Sequence, residues 1–277
     1  MTVCIAAVCD KGSTCVVAAD REITLGGPIN VGYEHHERKI DALSGSCVAM
    51  SSGNALVASE VISRTRSDPA LTVGASIQSV AESMRAVYID VHMRRAEEVI
   101  LRPRGWTLAE FKERGAQGIP VQVYVSIDQQ FWALTLNTEF IVAGVDQTGA
   151  HISWVHYHGL SGAGWLEPFD KIGFTAIGSG GSHATILLSL SGQHRDLPAW
   201  DTMYRVFRAK KNAEVAPGVG TATDLAIIQA DGVKFVSGEI LQQLDVVVRE
   251  SETHRTDSKV LQDLYAEVTG SGGGESK

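Results

Sequence analysis

The stretch MTVCIAAVCDKGSTCVVAADRE, residues 1–22, decides how the rest of the chain is read. Val3 to Cys9 and Thr14 to Ala19 are runs of β-branched, small and apolar residues. Asp10-Lys11-Gly12 between them is a turn signal, so the spacing predicts a β-hairpin. A two-residue turn at Lys11-Gly12 sets Asp10 opposite Ser13, and counting outward sets Thr2 opposite Arg21, with Asp20 one position away. A three-residue loop moves the pairing by one. Either register returns a carboxylate to the neighbourhood of Thr2.

Beyond the hairpin, Arg38-Lys39-Ile40 follows a Gly/Pro/Asn-rich loop. Ser46 to Ser51 (SCVAMS) is expected as a buried strand that breaks at Ser52-Gly53-Asn54. Leu56, Val57, Val61 and Ile62 then keep a helical period up to a stop at Asp68-Pro69. A strand, a Gly turn and a helix in that order leave the free N–H groups of a helix start pointing out of the sheet end. A second helix is expected over about 73–100 and a short third over 108–114. A loop over 115–120 and strands over 121–127, 131–136 and 139–145 come next. The turn Asp146-Gln147-Thr148-Gly149 leads into a strand over 151–156, then a Gly-rich connection and a strand over 174–177. After the run Gly178-Ser179-Gly180-Gly181-Ser182 come helices over about 183–190 and 199–212, a strand over 224–230 and the Asp231-Gly232 turn. Residues 270–277 have the composition of a flexible tail. No linker divides the chain and no internal repeat is visible. Grouped strands alternating with helix pairs therefore read as one α+β domain over residues 1–269, with helices over two stacked antiparallel sheets, rather than an alternating parallel-sheet fold.

The 277 residues are 44% hydrophobic and 20% charged, an ordinary globular balance. A formal net charge of −8 argues against a nucleic-acid-binding surface, because that affinity comes from Lys and Arg displacing counterions. The densest basic region, Arg94, Arg95, Arg102, Arg104, Lys112 and Arg114, has Glu97, Glu98, Glu110 and Glu113 mixed into it, as on a solvated helix face. Cys4, Cys9, Cys15 and Cys47 lie in or beside strand-like runs and not at metal-ligand spacings, so they are expected as buried free thiols. The N-terminus lacks a basic leader and its apolar run is broken early by Asp10 and Lys11, while no later stretch is long enough to cross a bilayer. A reducing, cytoplasmic location without membrane attachment is the expectation.

Several short motifs fall in one order along the chain. They are Thr2 behind Met1, Ala18-Ala19-Asp20-Arg21, Arg38-Lys39-Ile40, Met50-Ser51-Ser52-Gly53, Ala143-Gly144-Val145-Asp146 and Ala176-Ile177-Gly178-Ser179-Gly180-Gly181. In order and spacing, over about residues 2–245, this set resembles the proteasome β-type family of N-terminal nucleophile hydrolases, which includes bacterial HslV. The resemblance implies a four-layer αββα sandwich and a threonine-type peptidase or amide hydrolase. Removal of Met1 would leave Thr2 with a free α-amine whose reference pKa of about 7.7–8.0 lets it accept the hydroxyl proton near neutrality. The family further implies that Lys39 sits beside that hydroxyl, with Asp20 pairing to hold it. Ser179 matches the family's proton-relay serine, and the Gly53 N–H, at the start of the first helix, matches the oxyanion donor. The second acidic relay residue is left open between Glu214 and Asp224, with Thr221 a further candidate.

The resemblance also implies a homo-oligomer, since this family works in rings or stacked dimers that restrict access to the nucleophile, and it leaves open an ATP-dependent unfoldase as a further partner. A peptide or small amide is the implied substrate, and no metal or organic cofactor is required. Around 94–130 the chain is longer than small family members, which points to a helical extension.

Other readings rest on the same residues. Thr2 is also a plain β-branched strand residue, and a non-catalytic scaffold or binding subunit would keep the fold with Met1 attached. Gly178 to Ser182 lacks the Lys-Ser/Thr and the spacing of a phosphate loop. His35 and His36 are adjacent and point to opposite faces of an extended strand, so only His156 and His158 share a face for chelation, with no Cys or acidic partner near them in sequence. Trp132, Trp154 and Trp165 are expected in the core or at an interface.

Overall fold

The computed structural model describes residues 2–25, 31–71, 74–158, 163–251 and 258–270; Met1 and the tail beyond Gly270 lie outside the described residues. The opening hairpin forms as β1 (Cys4–Cys9) and β2 (Thr14–Asp20), pairing Cys9 with Thr14 and Cys4 with Ala19. That is the register of the two-residue count, although the chain turns through a short 3-10 segment, Asp10–Gly12, with left-handed backbone at Asp10, Lys11 and Gly12.

A short ribbon, β3 (Glu22–Leu25) and β4 (Val31–Glu34), leads to β5 (Ile40–Ser44) and β6 (Cys47–Gly53). Helices α1 (Ala55–Arg66) and α2 (Ile77–Ala96) follow, then α3 (Leu108–Gly118) and α4 (Val121–Ala133). Next are β7 (Thr138–Asp146), β8 (Gly149–His158), β9 (Ala163–Pro168) and β10 (Phe174–Ile177). Helices α5 (Gly181–Leu190) and α6 (Ala199–Ala213), strands β11 (Thr223–Gln229) and β12 (Gly232–Phe235), and helices α7 (Gly238–Ser251) and α8 (Ser258–Thr269) complete the chain. The fold is mixed α+β. One five-stranded sheet has the order β10-β1-β2-β11-β12, another β5-β6-β7-β8-β9, and every pairing is antiparallel.

Side-chain alternation distributes the core. On β1, Cys4, Ala6 and Val8 point to a cluster shared with Val48 and Met50 of β6 and Ile141 and Ala143 of β7, so this cluster lies between the two sheets. The intervening Ile5, Ala7 and Cys9 join Met203, Val206 and Phe207 of α6. Cys47 and Ala49 of β6, on the opposite face from Val48, pack with Val57 and Val61 of α1 and Val80 and Met84 of α2. Period-two apolar strands buried on both faces explain why the opening hairpin reads as an almost continuous apolar run. Each Ile or Val so buried contributes about 1.5–3 kcal/mol over leaving it in water. All four cysteines are free and buried. Among the described residues no helix is long and apolar enough to cross a membrane.

The expected strands over 121–127 and 131–136 are instead the single helix α4. Val121, Val123 and Val125 alternate as in a strand, but both edges of β7 are filled, by β6 and β8. A helix satisfies its backbone without a neighbour. Ile127 and Phe131, four residues apart, face Phe111, Ile100 and Leu101 in a separate small core, and the three valines stay exposed. The expected loop over 115–120 is mostly the last turn of α3, which runs to Gly118. Helix α2 stops at Ala96 and continues through a π-turn, Glu97–Leu101, and a 3-10 turn, Arg102–Arg104. The connection expected as Gly-rich coil after residue 156 contains β9, and the sequence reading had no counterpart for the β3–β4 ribbon, β12, α7 or α8.

Candidate active site

The residues singled out from the motifs meet at one end of the paired sheets. Thr2 enters β1, Asp20 ends β2, Lys39 precedes β5, Gly53 ends β6, and Ser179 follows β10. The registers explain the meeting: Cys4 pairs with Ala19 on one side and with Ile177 on the other, so Thr2 lies between the exits of β2 and β10. The second sheet reaches the same end, where the Cys4 Sγ donates to the Ser51 carbonyl at 3.4 Å.

Asp20 is fully buried and accepts five hydrogen bonds. Its Oδ1 takes the Thr2 hydroxyl, the Val3 N–H at 3.0 Å and the Lys39 Nζ at 3.0 Å. Its Oδ2 takes the N–H groups of Glu22 at 3.0 Å and Gly220 at 3.1 Å. Lys39 Nζ also donates to Thr2 Oγ1 and to the Glu22 carbonyl. Two unit charges this close attract by roughly 5 kcal/mol at an effective dielectric near 20. Desolvation costs several kcal/mol per ion, so the pair roughly breaks even and its value is placement rather than stability. The Thr2 hydroxyl thus donates to a carboxylate, which fixes its rotamer, while the ammonium that donates to it favours negative charge on its oxygen.

The Thr2 N–H donates to Ser179 Oγ at 3.2 Å, and the Ser179 hydroxyl has the carbonyls of Thr2 (3.4 Å) and Pro217 (3.3 Å) as acceptors. Gly178 has φ +90°, and any side chain there would run into the Thr2 carbonyl, so the turn holding Ser179 depends on glycine. Beside Thr2 opens a cleft of about 400 Å³ lined by Thr2, Lys39 and Gly53, with Ile23 of β3 and Ile62 of α1 among its walls. Thr2 lines this cleft although it is only 2% exposed.

Gly53 differs from its expected place. It is the last residue of β6, opposite Thr138, and not the start of α1. The helix begins at Ala55, and two of the N–H groups of its first turn, on Leu56 and Val57, are taken by the Asn54 side chain at 3.0 and 3.3 Å. Gly53 has φ +104° and no room for a Cβ beside the Asn137 carbonyl, which ties it to glycine for a backbone reason.

Neither acidic residue left open for the relay meets Ser179. Glu214 receives Lys210 Nζ at 2.7 Å and Lys211 Nζ at 2.8 Å. Asp224 binds Arg21 through both oxygens, at 2.9 and 2.5 Å, and Arg38 at 3.4 Å. Thr221 donates its N–H and its hydroxyl to Glu34. Two supports escaped the sequence reading. Glu139 accepts the Gly178 N–H at 2.9 Å and the Trp154 Nε1–H at 3.2 Å, holding the Ser179 turn. Lys210 lies among the apolar positions Val206, Phe207 and Ala213 of α6, and a lysine inside such a stripe was the available signal.

His156 stacks on Trp154 with ring centroids 4.1 Å apart, and its Nε2 lies 3.5 Å from Glu167. The His158 side chain lies outside the described residues, and among those described no group of three His, Cys, Asp or Glu could hold a metal ion. The basic region is laced by pairs such as Arg102 with Glu97 at 2.8 Å and Arg114 with Glu110 at 3.5 Å. Trp132 and Trp154 pack against cores, and Trp165 is exposed. Compared with protein-family models the chain matches none, and a search of curated proteins found no match.

Proposed function

We propose that the chain is an N-terminal threonine amide hydrolase, acting on peptides or small amides after cleavage of the bond before Thr2. The observation that carries this reading is the convergence of the Asp20 carboxylate and the Lys39 ammonium, 18 and 37 residues along the chain from Thr2, on the Thr2 hydroxyl, with Thr2 and Lys39 lining one cleft and Asp20 buried behind them. Cleavage converts the Thr2 nitrogen, now beside Ser179 Oγ, into an amine that takes the hydroxyl proton as Oγ1 attacks the substrate carbonyl. Lys39 stabilises the developing alkoxide, and Asp20 keeps the lysine in place. The Gly53 N–H, on the cleft wall, receives the oxyanion. The protonated α-amine gives that proton to the leaving nitrogen, whose departure leaves an ester on Thr2; water, losing a proton to the same α-amine, then attacks the ester, and return of the proton to Oγ1 regenerates the hydroxyl. The packing of α1 and α2 on one sheet, and of α6 on the other, supports an αββα sandwich of the N-terminal nucleophile type.

The test is intact mass before and after treatment with a threonine-directed β-lactone. A species beginning at Thr2 that gains one adduct, with no adduct on Thr2→Ala, is the expected result. A chain that keeps its residue 1 and takes no adduct would put the scaffold reading in its place.

A further inference from the structure

The buried face of α6 toward β1 and β2 carries two polar residues, Thr202, which accepts from Gln193 at 3.2 Å, and Lys210, the one charged residue of that face, whose side chain is wholly buried. A buried ammonium is costly unless its donors are matched. Here all three are, by Glu214 Oε1 at 2.7 Å, the Gly220 carbonyl at 2.8 Å and the Thr221 carbonyl at 2.9 Å. Those two carbonyls belong to the peptide units whose N–H groups are on Thr221 and Ala222. Both N–H groups donate to Glu34 Oε1 of β4, at 3.0 and 2.8 Å. The N–H of Gly220 itself goes to Asp20 Oδ2. One short segment therefore turns its carbonyl ends to a buried cation and its N–H ends to two carboxylates, one beneath Thr2 and one on the β3–β4 ribbon. That ribbon supplies Glu22 and Ile23 to the cleft wall, and the Glu22 carbonyl accepts from Lys39.

On the hydrolase reading, we infer that Lys210 is a positioning residue of the Thr2 site, holding Asp20 and the β3–β4 wall in place through the Gly220–Ala222 segment. It touches neither Thr2 nor the cleft. Burial lowers the Lys210 pKa from its ordinary value, with Glu214 opposing the shift. Methionine keeps the length and apolar stem of the lysine, and Glu214 keeps Lys211 as a partner when Lys210 is replaced, while the Gly220 and Thr221 carbonyls lose their donor.

Lys210→Met and Glu34→Gln are compared with the unmutated chain by the rate of β-lactone adduct formation across lactone concentrations, and by amide hydrogen exchange. In Lys210→Met the saturating rate is expected to fall about tenfold with the half-saturating concentration changed less than about twofold, the pattern of a misplaced reacting group rather than lost binding. Exchange over 220–222 and β4 is expected to quicken. Should Lys210→Met fail to fold, Glu34→Gln probes the same connection from its solvent side, with a smaller drop of the same kind. Unchanged rate and exchange in the folded variants overturn the inference, as does a change in half-saturation alone. A chain that takes no lactone while exchange still quickens in Lys210→Met refutes the hydrolase and supports Lys210 as the anchor of Asp20.

Discussion

Two carboxylates lie a diagonal step apart across the β2–β11 pairing, and their surroundings differ in kind. Asp20, opposite Thr223, is held by three backbone N–H groups besides Lys39 and Thr2. Asp224, opposite Ala19, is just as enclosed, at 3% exposure, but is held by two arginines that reach into solvent, Arg21 at 30% and Arg38 at 48%. Backbone donors lose no side-chain freedom in making their bonds, so the Asp20 site is set by the fold itself. Arginines reaching in from the rim must be ordered for each bond, and solvent screens them. The contrast separates a charge built for a fixed geometry from one that straps strand ends together.

Asp20→Asn should break the contrast most strongly. It removes the buried negative charge from Lys39, with an expected loss of stability of the order of 3 kcal/mol and of lactone reactivity by at least about a hundredfold. Denaturant midpoints and adduct rates measure the two effects. Lys39→Met, which leaves Asp20 its backbone donors, is expected to cost a similar fraction of reactivity but at most about half that stability. Asp224→Asn should shift stability by about 1 kcal/mol and leave the adduct rate within about threefold, because its arginine partners remain hydrated. A large rate effect there would erase the distinction between the two carboxylates.

The smallest effect is electrostatic. Glu34 is held below the ordinary glutamate value of 4.5, first by the Ala222 N–H and then by the Thr221 hydroxyl. A lowered folded pKa means that this attachment of β4 is fully present above the unfolded value and is lost as pH falls through the folded one. The amide resonances of Thr221 and Ala222 should therefore titrate together below pH 4.5, and a midpoint above it would contradict the bonding described.

How much of this was legible in the sequence follows the same division. The β1–β2 pairing was readable to within one residue, because alternation and one short turn leave two neighbouring registers, and either one brings Asp20 to the neighbourhood of Thr2. Strand β10 was readable from its ends, since Phe174–Ile177 is bounded by glycines at 173 and 178. Helix α4 was not, because valine alternation reports β-propensity and says nothing of whether a sheet edge is free. The partners of Glu214 and Asp224 were equally hidden. The loop between α6 and β11 takes its course from long-range contacts, Gly220 with Asp20 and Thr221 with Glu34, which leave no periodic trace along the chain.

The four cysteines have a practical consequence. Each thiol is enclosed and pushed up from its ordinary value by burial, Cys47 to about 12, so a thiolate forms only when its surroundings open. Three of them mark the sheet that delivers Thr2 and the fourth marks its neighbour. The order in which an alkylating reagent captures them during slow denaturation would show which of the two five-stranded sheets parts first, with no probe added to the chain.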